Sequence, residues 1–388
     1  MVRLLVIAAV ASLAACATAP PDTTPTAVTL PAPIAQSEIG PPAPSRTHHR
    51  NKAAMTLSIS AVGDMMLGTD FPKHRLADDD GQGLLAAVAP ILSATDITFG
   101  NIEGVLMDGG TPAKRCSNPS ACYLFRSPAR YAQHFANAGF DAVSFANNHA
   151  RDFGEEGRTA SMRHAAAAGM HHSGREGDIA SWRVNGLDIA MIAFAVTRNS
   201  NSMLEIAPAA KQVALLAEEH DVVIVSFHGG AEGLGSLRIP FAEETYYNEP
   251  RGDVVAFSRA MVDVGADLVL GHGPHVVRAM ERYKDRLIAY SLGNFATYFG
   301  ISVAGLKGVA PILEVNLNGY GEFVDGRLHS TRQPRPNGPL PDTSNTALRV
   351  IKALSIADFL DTGLVFHDDG ALGEAPRRFV RTERGQRY

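Results

Sequence analysis

The sequence predicts an α/β protein built on a mostly parallel or mixed sheet. Two observations predict it: short β-rich apolar runs alternate with helical segments through the middle of the chain, and nearly every run ends on a Gly, Asn, Asp or His corner. No solenoid-like repeat interrupts the alternation.

Taken in order, Leu57 to Asp64 (LSISAVGD) is the first strand and Asp96 to Glu103 (DITFGNIE) the second. Between them, Leu84 to Leu92 has helical composition, and Pro90 is expected to end or kink it. The next helix has Ser127 as its cap and Pro128 at its first position, with Tyr131, Phe135 and Ala138 on one face before Gly139. The strand DAVSFANNH then runs into Asn147, Asn148 and His149, and an Ala-rich helix from Glu155 to Ala168 stops at Gly169. Strands Leu187 to Val196 and Asp221 to Gly230 flank a helix from Pro208 to Glu219. An amphipathic helix from Asp253 to Val264 leads into ADLVLGHGPHVV, an apolar strand delivering His272 and His275 at its end. Arg286 to Phe295 reads as one further strand, and Ala310 to Asn318 as the last of the core. Beyond it, prolines 334, 336, 339 and 341 mark a loop, a helical segment runs from Thr346 to Leu360, and the tail from Arg377 is basic.

The start of the chain reads as an address. Arg3, an apolar run from Leu4 to Val10 and small residues before Cys16 describe a secretory signal too short to span a bilayer. The LAAC string at 13–16 resembles a bacterial lipobox, which implies cleavage before Cys16 and lipid on its thiol; an ordinary signal peptide cut nearby is the alternative. Residues 16–54, rich in Pro, Thr, Ala and Ser, lack the apolar surface to fold and read as a tether. The domain is expected over 55–320, with an irregular extension over 321–388 packing on it. These boundaries place the domain on the periplasmic or extracellular face of the envelope.

A formal charge of -5 and a pI near 6.3 give no basic surface for nucleic acid. Once Cys16 is assigned to lipid, Cys116 and Cys122 flank the short turn-forming CSNPSAC segment. In an oxidising compartment a local disulfide is the expectation, since these thiols lack partners at zinc-finger spacing.

The polar strand ends form one set: Asp64, Asn101, Glu103, Asn148, His149, His228, His272 and His275. Each alone is an ordinary turn or core residue. Together they share the edge of an open α/β sheet where ligands bind. Carboxylate, amide and imidazole without thiolate suit one or two divalent ions, Mn, Mg, Fe or Zn, placed to activate water. An unligated His nearby is suited to protonate a leaving group.

Five blocks, GDMMLG, FGNIEGVL, AGFDAVSFANNHARDFGEEG, GADLVLGHGPHV and IAYSLGNF, carry a resemblance over residues 57 to 315. They resemble the signature blocks of the CapA family, bacterial poly-γ-glutamate capsule-biosynthesis proteins with a calcineurin-like metallophosphoesterase fold. The resemblance implies a four-layer αββα sandwich with a metal centre at its edge. It implies metal-ligand roles for Asp64, Asn148, His228, His272 and His275, and puts Asn101 in place of a bridging aspartate. It makes His149 the residue that acts on substrate. Its partners would be an anionic polymer or phosphoester and a capsule-synthase membrane complex.

The chain also departs from the pattern. Met66 stands where the superfamily's usual Asp-x-His has its His, Asn101 lacks a bridging charge, and the final pair is spaced His-x-x-His. Two ligands fewer favour a mononuclear or weak site, with Glu103 placed to compensate. After His228 the chain reads HGGAEGLG, keeping Glu232 but no aromatic, and an insertion follows through Tyr246, Tyr247, Glu249 and Arg251. Arg126 and Glu232 are, with Glu103, the candidate substrate contacts, against the plain reading of Arg126 as a solvated surface residue.

Overall fold

Alternation along Thr56–Met66 sets the architecture, because Leu57, Ile59 and Ala61 face a second sheet while Val62 and Met65 pack outward under helices. In the computed structural model the described residues are 52–114 and 123–375, all within one unit spanning Ala43–Tyr388. The leader, most of the tether, the basic tail, and Cys16, Cys116 and Cys122 lie outside them.

In the first sheet Thr56–Met66 runs parallel to Ile97–Ile102, followed outward by Ala142–Ser144 and His171–Ser173. On its other side Ile312–Asn318 pairs antiparallel. In the second sheet Leu187–Ala195, Val222–His228, Leu268–His272 and Arg286–Ala289 are parallel neighbours, with Ile179–Val184 and Met280–Tyr283 antiparallel at the edges. Leu57, Ile59, Phe99, Ile189, Met191, Ile224, Leu268 and Leu270 fill the space between the sheets.

Helices Tyr131–Asn137 and Gly154–Ala167 cover the first sheet, with Tyr131, Phe135 and Ala165 against its outer side. Ile206–Glu219 and Val254–Asp263 cover the second through Val213, Leu216, Phe257 and Met261. The Asp253 carboxylate caps the last of these, accepting from the amides of Val255 and Ala256. The result is the expected four-layer αββα sandwich.

Several local expectations are corrected. Pro90 starts the short helix Ala89–Leu92 instead of ending one, since its missing N–H is free of cost in a first turn. Ser127 does not cap a helix; it belongs to a two-residue strand and its hydroxyl donates to Gly68 O at 2.6 Å. The run from Arg286 to Phe295 is two strands, because the chain crosses at Tyr290 to Gly293 from the second sheet to the first, where Asn294–Thr297 pairs with the end of Thr56–Met66. The tether ends earlier than composition suggests: Lys52–Ala54 form a 3-10 turn, and the buried Lys52 ammonium pairs with Asp221.

The segment after 320 is part of the sheet, not an irregular extension. Phe323–His329 pairs antiparallel with Ile312–Asn318, and Ala371–Glu374 and Leu364–Phe366 follow outward. Leu328, Ile351, Leu364 and Leu372 complete the inter-sheet core. Its prolines mask strands too short for a strong alternation. A chain truncated after residue 320 is therefore expected to yield no cooperative thermal transition. Leu328→Ala should cost about 2 to 5 kcal/mol in denaturant unfolding; a stable truncated domain would show the extension to be accessory.

Candidate metal centre

The site gathers at the carboxyl ends of parallel strands from both sheets. Asp64 and Asn101 are register partners on adjacent strands of the first sheet, and His228 and His272 are partners in the second. Asp64 faces inward because of a bulge: Ala61 pairs with Phe99 but Asp64 with Asn101, one residue more on the first strand than on the second. Without that residue the carboxylate would turn to the outer, helix-covered face. Gly63 makes the bulge possible, since a Cβ there would lie 2.0 Å from Gly293 O.

Glu103 is at the centre. It is fully buried, and its Oε1 lies 3.6 Å from Nε2 of both His228 and His275 and 3.9 Å from Nε2 of His149. Asp64, Glu103 and His228 each offer a ligand atom, all within 4.8 Å of one another. Both Glu103 oxygens and both His228 nitrogens are buried with no hydrogen-bond partner. Stranding such atoms costs about 1 to 3 kcal/mol each, more for a charged group. A divalent cation would satisfy the Glu103 carboxylate and one His228 nitrogen, so the residues present fit a bound ion of the hard-to-borderline class.

His275 completes the inner ring. Its Nδ1 lies 2.9 Å from Asn294 Oδ1 and 3.2 Å from Asp64 Oδ2, and its Nε2 is 4.0 Å from Glu232 Oε2. It holds the left-handed backbone at φ 57°, fastened by Asn294 Nδ2 donating to its carbonyl at 3.2 Å. Burial disfavours its charge, but the fields of Glu103 and Asp64 prevail and push it up to about 10. Burial likewise raises the Asp64 carboxyl, yet the His275 hydrogen bond and the fields of His228, His275 and His272 hold it well below the usual carboxylate range. Glu103 is also lowered: burial opposes this, and His275 leads the groups that outweigh it. Acid and imidazole thus stabilise each other's charge where a cation belongs.

Other expected residues fall elsewhere. Asn101 is spent on orientation: its Nδ2 donates to Asp64 Oδ1 at 2.8 Å and its Oδ1 accepts from Asn147 Nδ2 at 3.1 Å. Both of its side-chain polar atoms are therefore engaged by Asp64 and Asn147. His272 is the imidazole that the wider spacing removes. It is fully buried with Nε2 3.0 Å from Val62 O, Nδ1 3.5 Å from Ser226 Oγ, and a pKa lowered chiefly by burial. Arg126 is neither a free anion contact nor a solvated surface residue. It pairs with Asp70 at 2.6 Å, donates to Gly109 O, and lies over the rings of Phe71 and Phe153. Glu103, expected among substrate contacts, is instead in the ligand cluster.

Asn148 and His149 lie next to the cluster. The Asn148 Oδ1 is buried without a partner, an acceptor free for a cation. His149 stacks on Phe125 with centroids 4.3 Å apart, and its Nδ1 lies 2.8 Å from Asp152 Oδ2. Asp152 was missed, although three residues after an Asn-His pair is one turn away. Asn147 and Asn294 were also missed, and in the sequence both pass for turn residues. Arg251 lies fully buried in the insertion, its Nη1 3.1 Å from Glu232 Oε1 and its Nε donating to Gly230 O at 2.8 Å. Glu232 therefore links the insertion to His275. A cleft of about 560 Å³ between Met107–Asp108 and the Glu155–His164 part of a helix holds none of the expected site residues.

The four-layer αββα sandwich thus gathers a carboxylate and imidazole cluster at the sheet edge where α/β folds bind ligands. Residues 58–298 match the model of the bacterial capsule synthesis protein PGA_cap family, and the chain belongs to that family. It is 30% identical over 260 residues to the PGA biosynthesis protein CapA of Bacillus subtilis (strain 168), covering 62% of this chain and 63% of that one. It is 28% identical over 270 residues to the capsule biosynthesis protein CapA of Bacillus anthracis, covering 64% and 61%. The alignments thus span less than two thirds of these relatives. Among solved structures, a 5'-nucleotidase precursor from Thermus thermophilus aligns at a TM-score of 0.39 and 13% identity, covering 77% of this chain and 58% of that one.

The geometry separates two histidines that sequence alone treats alike. His228→Ala is expected to lower stoichiometrically bound Mn or Zn at least about tenfold by metal analysis, as is Glu103→Gln. His272→Ala should keep the metal while losing about 1 to 3 kcal/mol of stability for the stranded Val62 carbonyl. Equal metal loss in both histidine variants would contradict the assignment.

Proposed function

We propose that this chain is an envelope protein, tethered by lipid on Cys16, that acts in the synthesis, export or anchoring of an anionic capsule polymer such as poly-γ-glutamate, through hydrolysis at this centre. The observation that carries the reading is the buried Glu103 carboxylate, unpartnered between His228, His275 and Asp64. Family membership supplies the polymer class. The LAAC string before Cys16 supports the lipid attachment; among the described residues no helix is long and apolar enough to cross a membrane.

In this reading Asp64, Glu103 and His228 hold the ion, with His275 and Asn148 closing the set. A bound divalent ion would polarise the scissile group and lower the pKa of a water. His149 handles the proton. Asp152 accepts from its Nδ1–H, which fixes the tautomer and leaves Nε2 as acceptor on the side of Glu103. The Phe125 amide also donates to Asp152 Oδ2 at 2.8 Å and holds that carboxylate in place. The same His–Asp pair would serve a phosphoester of another envelope molecule, the second reading.

Complementation of a deletion strain tests the proposal. Wild-type protein should restore surface polymer, whereas His149→Ala should reduce it at least about tenfold while keeping wild-type metal content and fold. Cys16→Ser should move the protein to the soluble fraction. An unaltered envelope in the deletion strain would overturn the capsule role; full activity of His149→Ala would leave a polymer-binding scaffold.

A further inference from the structure

Beside the metal cluster the two sheets leave a second cleft, of about 280 Å³, whose lining includes Lys114, Asn147, Asn148, Arg151, Thr197 and Arg198. Its cations come from separate segments. Lys114 ends the described stretch 52–114, Arg151 precedes the helix Gly154–Ala167, and Arg198 follows the strand Leu187–Ala195. The seam is closed by Thr197 Oγ1 donating to Asn147 O at 3.3 Å.

The acids near these cations leave positive charge over. Asp152 Oδ1 lies 3.3 Å from Lys114 but is also committed to His149 through its other oxygen. Arg151 leans on Glu155 at 2.7 Å, a surface pair of modest worth. Arg198 is exposed, and no ion pair to it is seen among the described residues. With Lys114, Arg151 and Arg198 against Asp152 alone, the cleft lining carries an excess of positive charge that favours an anion there.

The cleft also communicates with the metal centre. Asn148, whose unpartnered Oδ1 faces no donor, lines it, and Asn147 ties it through Asn101 to Asp64. Asp152 ties it through His149 to Glu103. Its volume is below the usual range for a drug-sized ligand. It has room for one acidic unit and not for a folded stretch of polymer.

We propose that this cleft is an anion subsite, in which Arg151, Arg198 and Lys114 seat one carboxylate or phosphate of the substrate next to the group positioned at the metal. The inference rests on the hydrolytic reading of the centre and adds to it the substrate's charge pattern: a second anionic group one unit from the scissile bond. It also assigns a function to Lys114, whose ammonium lies 3.3 Å from Asp152 Oδ1, on the carboxylate that orients His149. Lys114 thereby links subsite occupancy to the proton-handling histidine.

The test titrates full-length wild-type protein, Arg198→Gln and Arg151→Gln with a γ-linked glutamate oligomer and, separately, with inorganic phosphate, at low and high salt, and measures metal content and melting temperature for each. The expected result is binding by the wild type that weakens with salt, and a loss of about tenfold or more in each variant, the range of a charged hydrogen bond. Metal content and melting temperature should stay at wild-type values, which separates this proposal from the metal assignment. Preference for the oligomer identifies a carboxylate source; preference for phosphate identifies a phosphoester. Either preference supports the subsite. Undiminished binding in both variants, or no binding of either probe by metal-loaded wild type, overturns it.

Discussion

The structure turns on a carboxylate that the protein alone does not satisfy. Glu103 is buried at the meeting of two sheets with no hydrogen-bond donor on either oxygen, and three imidazoles approach its Oε1. In a low-dielectric interior an uncompensated carboxylate is costly, and such arrangements persist when charge compensation is their purpose. His275 supplies part of that compensation with its raised pKa, and Asn294, Asn101 and Asn147 hold the surrounding groups at fixed distances. The amide side chains orient the donors and add no charge to the centre.

The fold is arranged so that this meeting point exists. The crossing from Arg286–Ala289 to Asn294–Thr297 stitches the two sheets together beside the Gly63 bulge, where a side chain at either Gly63 or Gly271 would strike backbone. The stitch brings Asp64 of one sheet under the loop of the other, so that the Gly273 amide approaches Asp64 Oδ2 at 3.3 Å. The insertion after His228 adds a second layer of control, through Arg251 on Glu232 and Glu232 toward His275.

Much of the fold was legible because its signals are periodic and local. The strands around Ile59, Met191, Ile224 and Leu268 alternate or run apolar for long enough to be read, and Asp253 caps its helix as its type suggests. The strands at 171–173, 364–366 and 371–374 are too short to declare themselves, and the sheet change at 290–293 leaves no trace in an unbroken apolar run. At the site, the residue types pointed to a metal, but their partners were settled in three dimensions. Nothing in HGPH tells which imidazole turns toward Val62 O and which toward Glu103; the left-handed backbone of His275 and the neighbouring register decide it. Arg126 looked available only because Asp70, Phe71 and Phe153 are distant in sequence or unremarkable there.

The central claim is that Asp64, Glu103 and His228 together hold a divalent ion. Crystals of the protein grown with Mn(II), with anomalous scattering collected at the manganese edge, test it most directly. The account predicts an anomalous peak within coordination distance of Glu103, Asp64 and His228, with His272 still hydrogen-bonded to Val62 O. A centre without a peak, with Glu103 hydrogen-bonded to water or side chains alone, would contradict it.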